Sequence, residues 1–219
     1  MARVFITGSS DGLGRMAAQL LLDAGHQVVL HARNDRRAED TIAAIPHAET
    51  VVVGDLSSMA GTKDVARQVN DLGTFDAVIH NAAVGNREPR RIETPDGLPH
   101  VFAVNTLATY LLTALITPPK RLVYLSSGLH QRGLAGLDDF DWTARPWDGL
   151  QAYADSKLHD VLLAFAVARL RPDTFSNSVE PGWVATRMGG PSAPDDLTLG
   201  PITQAWLAAG DDPSANVTA

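Results

Sequence analysis

The sequence of 219 residues contains no cysteine. Disulfide frameworks, thiolate metal sites and cysteine nucleophiles are therefore excluded, and a reducing cytoplasm is the expected location. The seven histidines do not have the spacing of metal ligands, so we expect no metal site.

Long apolar segments are also missing. The longest runs, such as Val161 to Ala168, fall well short of the roughly 20 residues that a membrane-spanning helix needs, so we expect no membrane contact. The start of the chain, Met1 to Ile6, is too short an apolar stretch for a signal peptide, and no export is expected.

The chain has no excess of basic residues, since its formal net charge is -7. Basic side chains cluster only at Arg33, Arg36 and Arg37 and at Arg87, Arg90 and Arg91, so we expect no nucleic-acid partner. Hydrophobic residues make up 45% and charged residues 20%, as in ordinary globular proteins. The length predicts one domain over residues 1–219.

Short runs rich in valine and isoleucine alternate with longer segments of helical period, which predicts a repeated strand-helix unit. The strand candidates are 3–7, 27–31, 49–53, 77–80, 121–126 and 176–179, and the helix candidates are 13–24, 36–44, 59–71, 98–116 and 151–170. Right-handed crossovers then give a single-domain α/β fold in three layers, a doubly wound parallel sheet of the Rossmann type. Two irregular segments, 128–150 and 188–202, follow strands at the ligand-binding edge and are expected on the substrate side.

A glycine-rich turn joins the first predicted strand to the first helix. Glycines at positions 8, 12 and 14 let the backbone double back and let a pyrophosphate approach the helix N-terminus, where free N–H groups favour negative charge. A glycine-rich turn without a ligand stays open as an alternative.

The same turn also matches the Gly-x-Ser-x-Gly pattern, with Ser10 as the nucleophile of a hydrolase. Such a site needs earlier strands and a loop that supplies a second oxyanion donor, and too little chain precedes Ser10 to provide them. The hydrolase interpretation also leaves Gly14 unexplained, so we do not favour it.

Tyr153 and Lys157 stand four positions apart at the start of a predicted helix. This spacing puts both side chains on one face, where the ammonium group favours phenolate over phenol. Tyrosine ordinarily ionises near pH ~10 and needs such help to exchange protons at neutral pH. Taken alone, the spacing is also typical of a solvated helix face.

Together, four motifs in this order resemble those of the classical short-chain dehydrogenase/reductase family, over residue 2 to about Thr186. The matching residues are Gly8, Gly12 and Gly14; Asn81-Ala82-Ala83, with alanine where glycine is usual; Tyr153, Ser156 and Lys157; and Pro181-Gly182. The resemblance implies an oxidoreductase that transfers hydride between a nicotinamide cofactor and a small carbonyl or alcohol substrate.

The resemblance also implies the catalytic roles. Tyr153 is the acid/base, Lys157 supports it and grips the nicotinamide ribose, and a serine ending the fifth strand hydrogen-bonds the reacting oxygen. Ser127 fits that place better than Ser126, which is the fallback. Asn105 matches the family asparagine that helps hold a water chain from Lys157; its other interpretation is a polar residue bonded to backbone inside a helix.

The end of the second strand favours NADP(H) over NAD(H). Arg33 follows an alanine where an acidic residue would bind the ribose 2′-hydroxyl, and it can pair with a 2′-phosphate. Ser10 and Asn34 could add hydrogen bonds, whereas Asp11 argues against the preference. The other implied cofactor residues are Thr7, Leu13, Asp55, Leu56, Asn81, Ala82, Ala83, Tyr153, Lys157, Pro181, Gly182, Trp183, Val184 and Thr186.

The segment between Ser127 and Tyr153 is longer than is common in the family and resembles the retinol-dehydrogenase-like and carbonyl-reductase-like subgroup. Its His130, Trp142 and Trp147 fit either a substrate pocket or a lid anchor and satellite core. The sequence ends where the family usually continues into a last strand, which bears on the expected homodimer or homotetramer. The rival function is a non-catalytic NADP-binding sensor of the same fold.

Overall fold

The computed structural model describes residues 1–85 and 87–218. Within them a six-stranded parallel sheet has the spatial order β3-β2-β1-β4-β5-β6. The strands are β1 (Arg3–Ile6), β2 (Gln27–Ala32), β3 (Thr50–Val53), β4 (Ala77–His80), β5 (Arg121–Leu125) and β6 (Phe175–Val179). The strand order runs outward in both directions from β1 and β4, so the winding of the chain reverses between these two strands.

Helices cover both faces of this sheet. They are α1 (Gly12–Asp23), α2 (Asp35–Ala44), α3 (Met59–Asp71), α4 (Ala108–Leu115), α5 (Gly149–Leu170) and α6 (Ile202–Ala209). A π-helical segment, Phe102–Leu107, leads directly into α4, and 3-10 turns occupy Gly128–Arg132 and Pro213–Ala215.

Successive strand residues point to opposite faces, so each strand contributes to two cores. On β1, Val4 and Ile6 belong to the core covered by α1 and α6, whereas Phe5 belongs to the core covered by α3, α4 and α5. Because both faces are buried, most of the strands are apolar on successive residues, whereas β6 has the polar residues Ser176, Asn177 and Ser178 at its centre. The predicted three-layer, doubly wound parallel fold is confirmed.

The predicted bounds of β4 and α3 are those observed, and most other predicted elements differ by one or two residues at an end. Two elements differ more. The predicted helix 98–116 begins with the π-helical segment before α4, and α6 was not expected inside the glycine- and proline-rich end of the chain. The segment 128–150 also holds the 3-10 turn Gly128–Arg132 and the first residues of α5. It is therefore less irregular than its composition suggests.

Candidate active site

A cavity of about 670 Å³ opens at the carboxyl ends of the strands, and residues at or beyond the end of all six strands line it. In a sheet whose winding reverses between two strands, this is where ligands bind. Most of the residues implied by the sequence line it, namely Gly8, Ser10, Asp11, Gly12, Leu13, Arg33, Asp55, Leu56, Asn81, Ala82, Ala83, Tyr153, Lys157, Pro181 and Thr186. The structure thus brings the four motifs together in one place.

The turn after β1 needs glycine for conformation and for space. Gly8 and Gly12 have φ values of 62° and 53°, which are left-handed conformations that other residues rarely adopt. A β-carbon on Gly8 would lie 2.7 Å from the α-carbon of Ala82. Asp11 caps α1 by accepting a hydrogen bond from the Gly12 N–H at 2.8 Å. The turn therefore brings backbone to the cavity wall at the start of a helix.

Thr7 and Asn81 tie this turn to the end of β4. The Thr7 hydroxyl accepts hydrogen bonds from the N–H groups of Asn81 and Ala82, both at 3.0 Å. The Asn81 amide donates to the carbonyls of Thr7 at 2.9 Å and Gly8 at 3.0 Å. Thr7 and Asn81, both predicted cofactor residues, therefore also hold the turn after β1 and the loop after β4 in a fixed relative position.

His31 is a site residue that the sequence did not indicate. It is 3% exposed near the end of β2, where Nδ1 accepts a hydrogen bond from the Gly8 N–H at 3.0 Å and Nε2 lies 2.9 Å from the carbonyl of Gly54. Burial lowers the pKa of His31, more than the Gly54 carbonyl raises it. The neutral ring thus bridges the glycine turn and the end of β3.

Two arginines face the cavity near the end of β2. Arg33 and Arg37 both line it, whereas Arg36 of the same cluster does not belong to the lining. Asp11 lies 3.9 Å from Arg37 and 3.6 Å from Arg187, so its charge is offset by these two side chains. Asn34 accepts a hydrogen bond from the Arg37 N–H at 3.0 Å as the N-cap of α2 and does not line the cavity.

Tyr153 and Lys157 lie one turn apart near the start of α5, and both line the cavity. The Lys157 ammonium is 5.7 Å from the centre of the Tyr153 ring. Asp148 caps the helix by accepting hydrogen bonds from the N–H groups of Leu150 and Gln151. The cap fixes the helix start and hence the position of Tyr153.

The Lys157 ammonium group is buried, with 3% of its side chain exposed. It donates hydrogen bonds to the carbonyl of Leu125 at 2.6 Å and to Asp160 Oδ2 at 2.9 Å. Burial opposes the charge on Lys157, but Asp160 and Tyr153 outweigh it and leave the pKa of Lys157 above its ordinary value. The lysine is therefore held in its charged form.

Asn105 lies in the π-helical segment and is fully buried. Its side-chain oxygen accepts from the Val84 N–H at 2.8 Å, and its amide donates to the Val84 carbonyl and to the Ser156 hydroxyl, both at 3.0 Å. A π-helical turn shifts the backbone hydrogen-bonding pattern and is common at functional sites. Asn105 thus ties the loop after β4 to α5; it does not line the cavity.

The two candidate serines differ in surroundings. Ser126 lines the cavity, is 6% exposed, and donates its hydroxyl proton to the Lys157 carbonyl at 2.8 Å. Ser127 is not among the lining residues; its hydroxyl oxygen accepts from the Leu129 N–H at 3.3 Å and caps the 3-10 turn. The Ser127 hydroxyl proton is not used in that bond.

The remaining predicted cofactor residues support the site from outside the lining. A β-carbon on Gly14 would overlap the Asn81 amide, so this glycine permits a close approach of helix and loop. Asp195 accepts from the Trp183 N–H at 2.6 Å and lies beside Gly182, whose φ is 80°. Val184 is buried at 4%. These residues shape the loop after β6.

A further part of the cavity wall was not predicted. It combines apolar and charged side chains and is formed by Val84, Gly85, Arg87, Glu88, His100 and Val104. Met188, which also lines the cavity, belongs to the segment 188–202 that was expected on the substrate side. His100 Nδ1 lies 2.6 Å from Glu88 Oε1. The basic cluster that includes Arg87 was visible in the sequence, but nothing there indicated that it faces a cavity.

The tryptophans of the 128–150 segment form a satellite core. Trp142, 8% exposed, stacks edge-on against Trp147 at 5.1 Å between ring centres and packs with Val101 and Ala152. Neither tryptophan lines the large cavity, and His130 Nδ1 lies 2.7 Å from the Ser127 carbonyl. Of the two interpretations of these residues, the structure favours a lid anchor and satellite core over a substrate pocket.

Residues 1–85 and 87–218 contain neither a cluster of metal ligands nor a membrane-spanning helix. No group of three or more histidine, cysteine, aspartate or glutamate side chains could hold a metal ion in that part of the chain. None of the helices there has the length and apolar character needed to cross a membrane.

Comparisons with known proteins agree with the geometry. The family described as short chain dehydrogenase matches residues 2–129. An uncharacterised oxidoreductase from Emericella nidulans is 49% identical over 90% of this chain and 76% of its own. A short-chain dehydrogenase from Penicillium rubens is 44% identical over 96% of this chain and 82% of its own. A solved protein from Mycobacterium paratuberculosis, 27% identical, superposes with a TM-score of 0.81 over 97% of this chain and 78% of its own.

Proposed function

This chain belongs to the short-chain dehydrogenase family and is an oxidoreductase that acts on CH–OH or C=O groups with a nicotinamide cofactor. From that premise we propose that it prefers NADP(H) over NAD(H) and interconverts a small carbonyl compound and its alcohol, with Tyr153 as the acid/base. One observation carries the proposal: Tyr153 and Lys157 line the same cavity as the glycine turn and Arg33.

The residues present fit a dinucleotide. The cavity of about 670 Å³ lies at the start of α1, whose free N–H groups and dipole favour a pyrophosphate. Gly8 and Gly12 let the backbone approach such a group closely, and Asp55 and Leu56 line the region after β3, where an adenine ring fits. When bound, the cofactor supplies a hydride to the carbonyl carbon or accepts one from the alcohol.

The preference for NADP(H) rests on Arg33 and Arg37. A guanidinium group pairs well with a phosphate, because its planar donors match two phosphate oxygens. The acidic Asp11, which by itself argues for NAD, is offset by Arg37 and Arg187 within 4 Å. We therefore assign the 2′-phosphate to Arg33 and Arg37. The Ser10 hydroxyl, which lies nearby, already donates its proton to the His31 carbonyl at 3.2 Å.

In reduction, Tyr153 gives its proton to the carbonyl oxygen as that oxygen gains charge; in oxidation, the phenolate takes the proton of the alcohol. The Lys157 ammonium lowers the free-energy cost of forming the phenolate, and we assign the nicotinamide ribose to the same lysine. Ser127 donates a hydrogen bond to the same substrate oxygen, because its proton is not used in the cap of the 3-10 turn. Asn105 holds the loop after β4 and, through the Ser156 hydroxyl, which donates to the Tyr153 carbonyl, the second turn of α5.

The substrate is assigned to the part of the cavity beyond Ala83, next to the segment 188–202, whereas no residue of the segment 128–150 lines this cavity. Met188 of the segment 188–202 lines this part together with Val84, Gly85 and Val104. This wall suits a small molecule with an apolar body. A homodimer or homotetramer and a cytoplasmic location stay predictions.

The proposal is tested by titrating the purified protein with NADPH and NADH and following the quenching of tryptophan fluorescence. A panel of aldehydes and ketones is then added while the absorbance of the reduced nicotinamide is recorded. We expect tighter binding of NADPH and its oxidation in the presence of a carbonyl compound. Failure to bind either nucleotide would overturn the cofactor assignment.

The variant Tyr153→Phe separates the enzyme from the sensor. It removes only the hydroxyl group, so nucleotide binding should persist while turnover is lost by a factor of about 100 or more. A sensor would keep its function in this variant, and unchanged turnover would remove Tyr153 from the chemistry.

A further inference from the structure

Lys157 has a buried anionic partner on its own helix that the proposed reaction does not use. Asp160 Oδ2 lies 2.9 Å from the Lys157 ammonium, and the two side chains are 3% and 4% exposed. Most ion pairs between residues three apart on a helix lie at the surface and contribute little. This pair is buried at the wall of the cavity, which Lys157 lines, and charges interact strongly in such surroundings.

The position of Asp160 matters because Tyr153 and Lys157 compete to lose the first proton at alkaline pH. Unperturbed tyrosine and lysine titrate close together, near pH ~10 and ~10.4. Burial without a partner lowers the pKa of a lysine by up to about 3 to 5 units, so an isolated buried lysine would lose its proton before the phenol does. The result would be a neutral amine beside a neutral phenol, which cannot act as a base.

We propose that Asp160 is a positioning residue of the reaction: its carboxylate holds Lys157 in place and protonated, so that Tyr153 is the group that loses its proton. The inference rests on the proposed function only in one respect, namely that the Tyr153 phenolate takes the proton of the alcohol substrate. Its structural content, the order of proton loss, concerns the chain without nucleotide. Because Asp160 acts through Lys157, it is not itself a catalytic residue.

Asp160 carries the charge that this role needs. Burial raises the pKa of Asp160 to about 6, against the opposing effect of Lys157. The carboxylate is therefore ionised at neutral and alkaline pH. The Leu125 carbonyl, at 2.6 Å from the ammonium, adds a second acceptor on the same side.

Other titratable groups near Lys157 and Asp160 do not change the charges of this ion pair. Tyr124 of β5 faces Asp160, but burial raises the pKa of Tyr124 far above neutrality, so it stays a neutral phenol. His80 of β4 stacks on Tyr124 at 4.9 Å between ring centres, and burial lowers the pKa of His80 to about 3, so it is neutral too. The charge of Arg171, after α5, lowers the pKa of Tyr124, but less than burial raises it.

The chain allows the order of proton loss to be observed directly, since it has only three tyrosines. Tyr110 is 55% exposed, and burial raises the pKa of Tyr124, so the variant Tyr110→Phe leaves Tyr153 as the tyrosine outside the buried core. In that background, the ultraviolet absorbance of the phenolate is followed against pH in protein without nucleotide. Circular dichroism at each pH verifies that the protein is folded.

We expect Asp160→Asn to move the appearance of the phenolate to higher pH by about one unit or more, because the neutralised lysine no longer stabilises it. The Lys157→Met variant defines the limit without any cation, and Asp160→Asn should approach it. Asp155→Asn is the matched control: Asp155 is a buried carboxylate on the same helix, but it binds Leu134, Gln151 and Arg145 instead. It should titrate like the parent protein.

The kinetic readout is kcat for alcohol oxidation against pH. Asp160→Asn should lower kcat by about tenfold at the optimum, and the loss should exceed the change in KM. A variant Asp160→Glu, which keeps a carboxylate, should restore both the titration and most of the rate. If Asp160→Asn folds poorly, the titration and kcat of Asp160→Glu are compared with those of the parent protein and of Lys157→Met.

Three results would overturn the inference. One is a phenolate titration in Asp160→Asn that coincides with the parent, which would mean that Asp160 does not control the proton loss of Tyr153. A titration that moves to lower pH would equally overturn it, because Asp160 would then act on Tyr153 only through space. The third is an equal shift in Asp155→Asn, which would reduce the effect to general acidity of the helix. Failure of the proposed function, by contrast, would appear as absent nucleotide binding with the titration unaffected.

Discussion

Gly14 leaves no room for a β-carbon, because the side-chain amide of Asn81 fills that space. A β-carbon at this position would also lie 2.6 Å from the carbonyl oxygen of Gly8. The same Asn81 amide binds the carbonyls of Thr7 and Gly8. The first turn of α1 and the loop after β4 are thus fitted to each other at the point where both reach the cavity.

Gly14→Ala should therefore weaken nucleotide binding as well as lower stability, and the loss of affinity should not be explained by partial unfolding. The new methyl group forces Asn81 and the glycine turn apart, at a cost of about 1–3 kcal/mol in the free energy of unfolding. Urea unfolding and NADPH titration are measured on the same preparation. We expect a rise of at least about tenfold in the Kd of NADPH.

Gly25→Ala is the matched control for that variant. Gly25 has a φ of 81° but nothing within 4 Å of an added β-carbon, and it lies at the opposite end of α1. The substitution should cost roughly 1–2 kcal/mol of stability through backbone strain and leave the Kd unchanged. Wild-type affinity in Gly14→Ala would show that the contact with Asn81 does not shape the nucleotide site.

The arginines near the end of β2 should determine cofactor preference. Removing Arg33 or Arg37 deletes a charge-assisted bond to the 2′-phosphate worth about 1.5–3 kcal/mol, so each alanine variant should raise the Kd of NADPH by roughly tenfold to a hundredfold. The Kd of NADH, which has no 2′-phosphate, should change little. Arg36→Ala is the control, because Arg36 belongs to the same basic cluster and is exposed away from the lining. Equal losses for both nucleotides would refute the assignment.

The sequence predicted the fold well because its signals are local. The bounds of β4 and α3 follow from an apolar run and from a segment of helical period, and both were matched; in the structure Ser58 caps α3. The π-helical segment before α4 has no such signal, since it accompanies tertiary bonds between Asn105 and Val84. The short helix α6 was missed because its stability comes from packing against α1 and the sheet rather than from helical propensity.

Site residues that belong to a sequence motif could be predicted. Site residues whose role depends on burial and on contacts in the fold could not. The spacing of Lys157 and Asp160 could be read in the sequence, but a pair three apart is usually a surface pair, and nothing local indicated that both are buried. His31 stands in an apolar strand, and only the fold reveals its bond to the Gly8 N–H. Such contacts arise between segments that are distant along the chain.

Buried His80 should make the protein lose stability in acid. Burial lowers the pKa of His80 from 6.5 to about 3, so the unfolded chain takes up a proton that the folded protein refuses. The contribution of His80 is fully present above pH 6.5 and is lost as the pH falls from there toward about 3. The loss amounts to about 2 kcal/mol at pH 5.

Urea unfolding at several pH values checks this expectation. His80→Phe keeps a ring to stack on Tyr124 but cannot take up a proton, so its stability should fall less between pH 7 and pH 5. Exposed His47→Gln should follow the wild type. The remaining dependence in His80→Phe has a source in His31, whose pKa burial also lowers. An unchanged slope in His80→Phe would contradict the buried neutral state of this ring.

Ser126 and Ser127 should respond differently to truncation. The Ser126 hydroxyl already donates its proton to the Lys157 carbonyl, so Ser126→Ala should cost about 1 kcal/mol of stability and leave most of kcat. The Ser127 proton is free for the substrate oxygen, and losing one such donor should lower kcat by about a hundredfold or more with a smaller change in KM. Carbonyl reduction by each variant is measured beside its unfolding curve. The reverse pattern, with kcat lost in Ser126→Ala and kept in Ser127→Ala, would assign the substrate hydrogen bond to Ser126, the serine that lines the cavity.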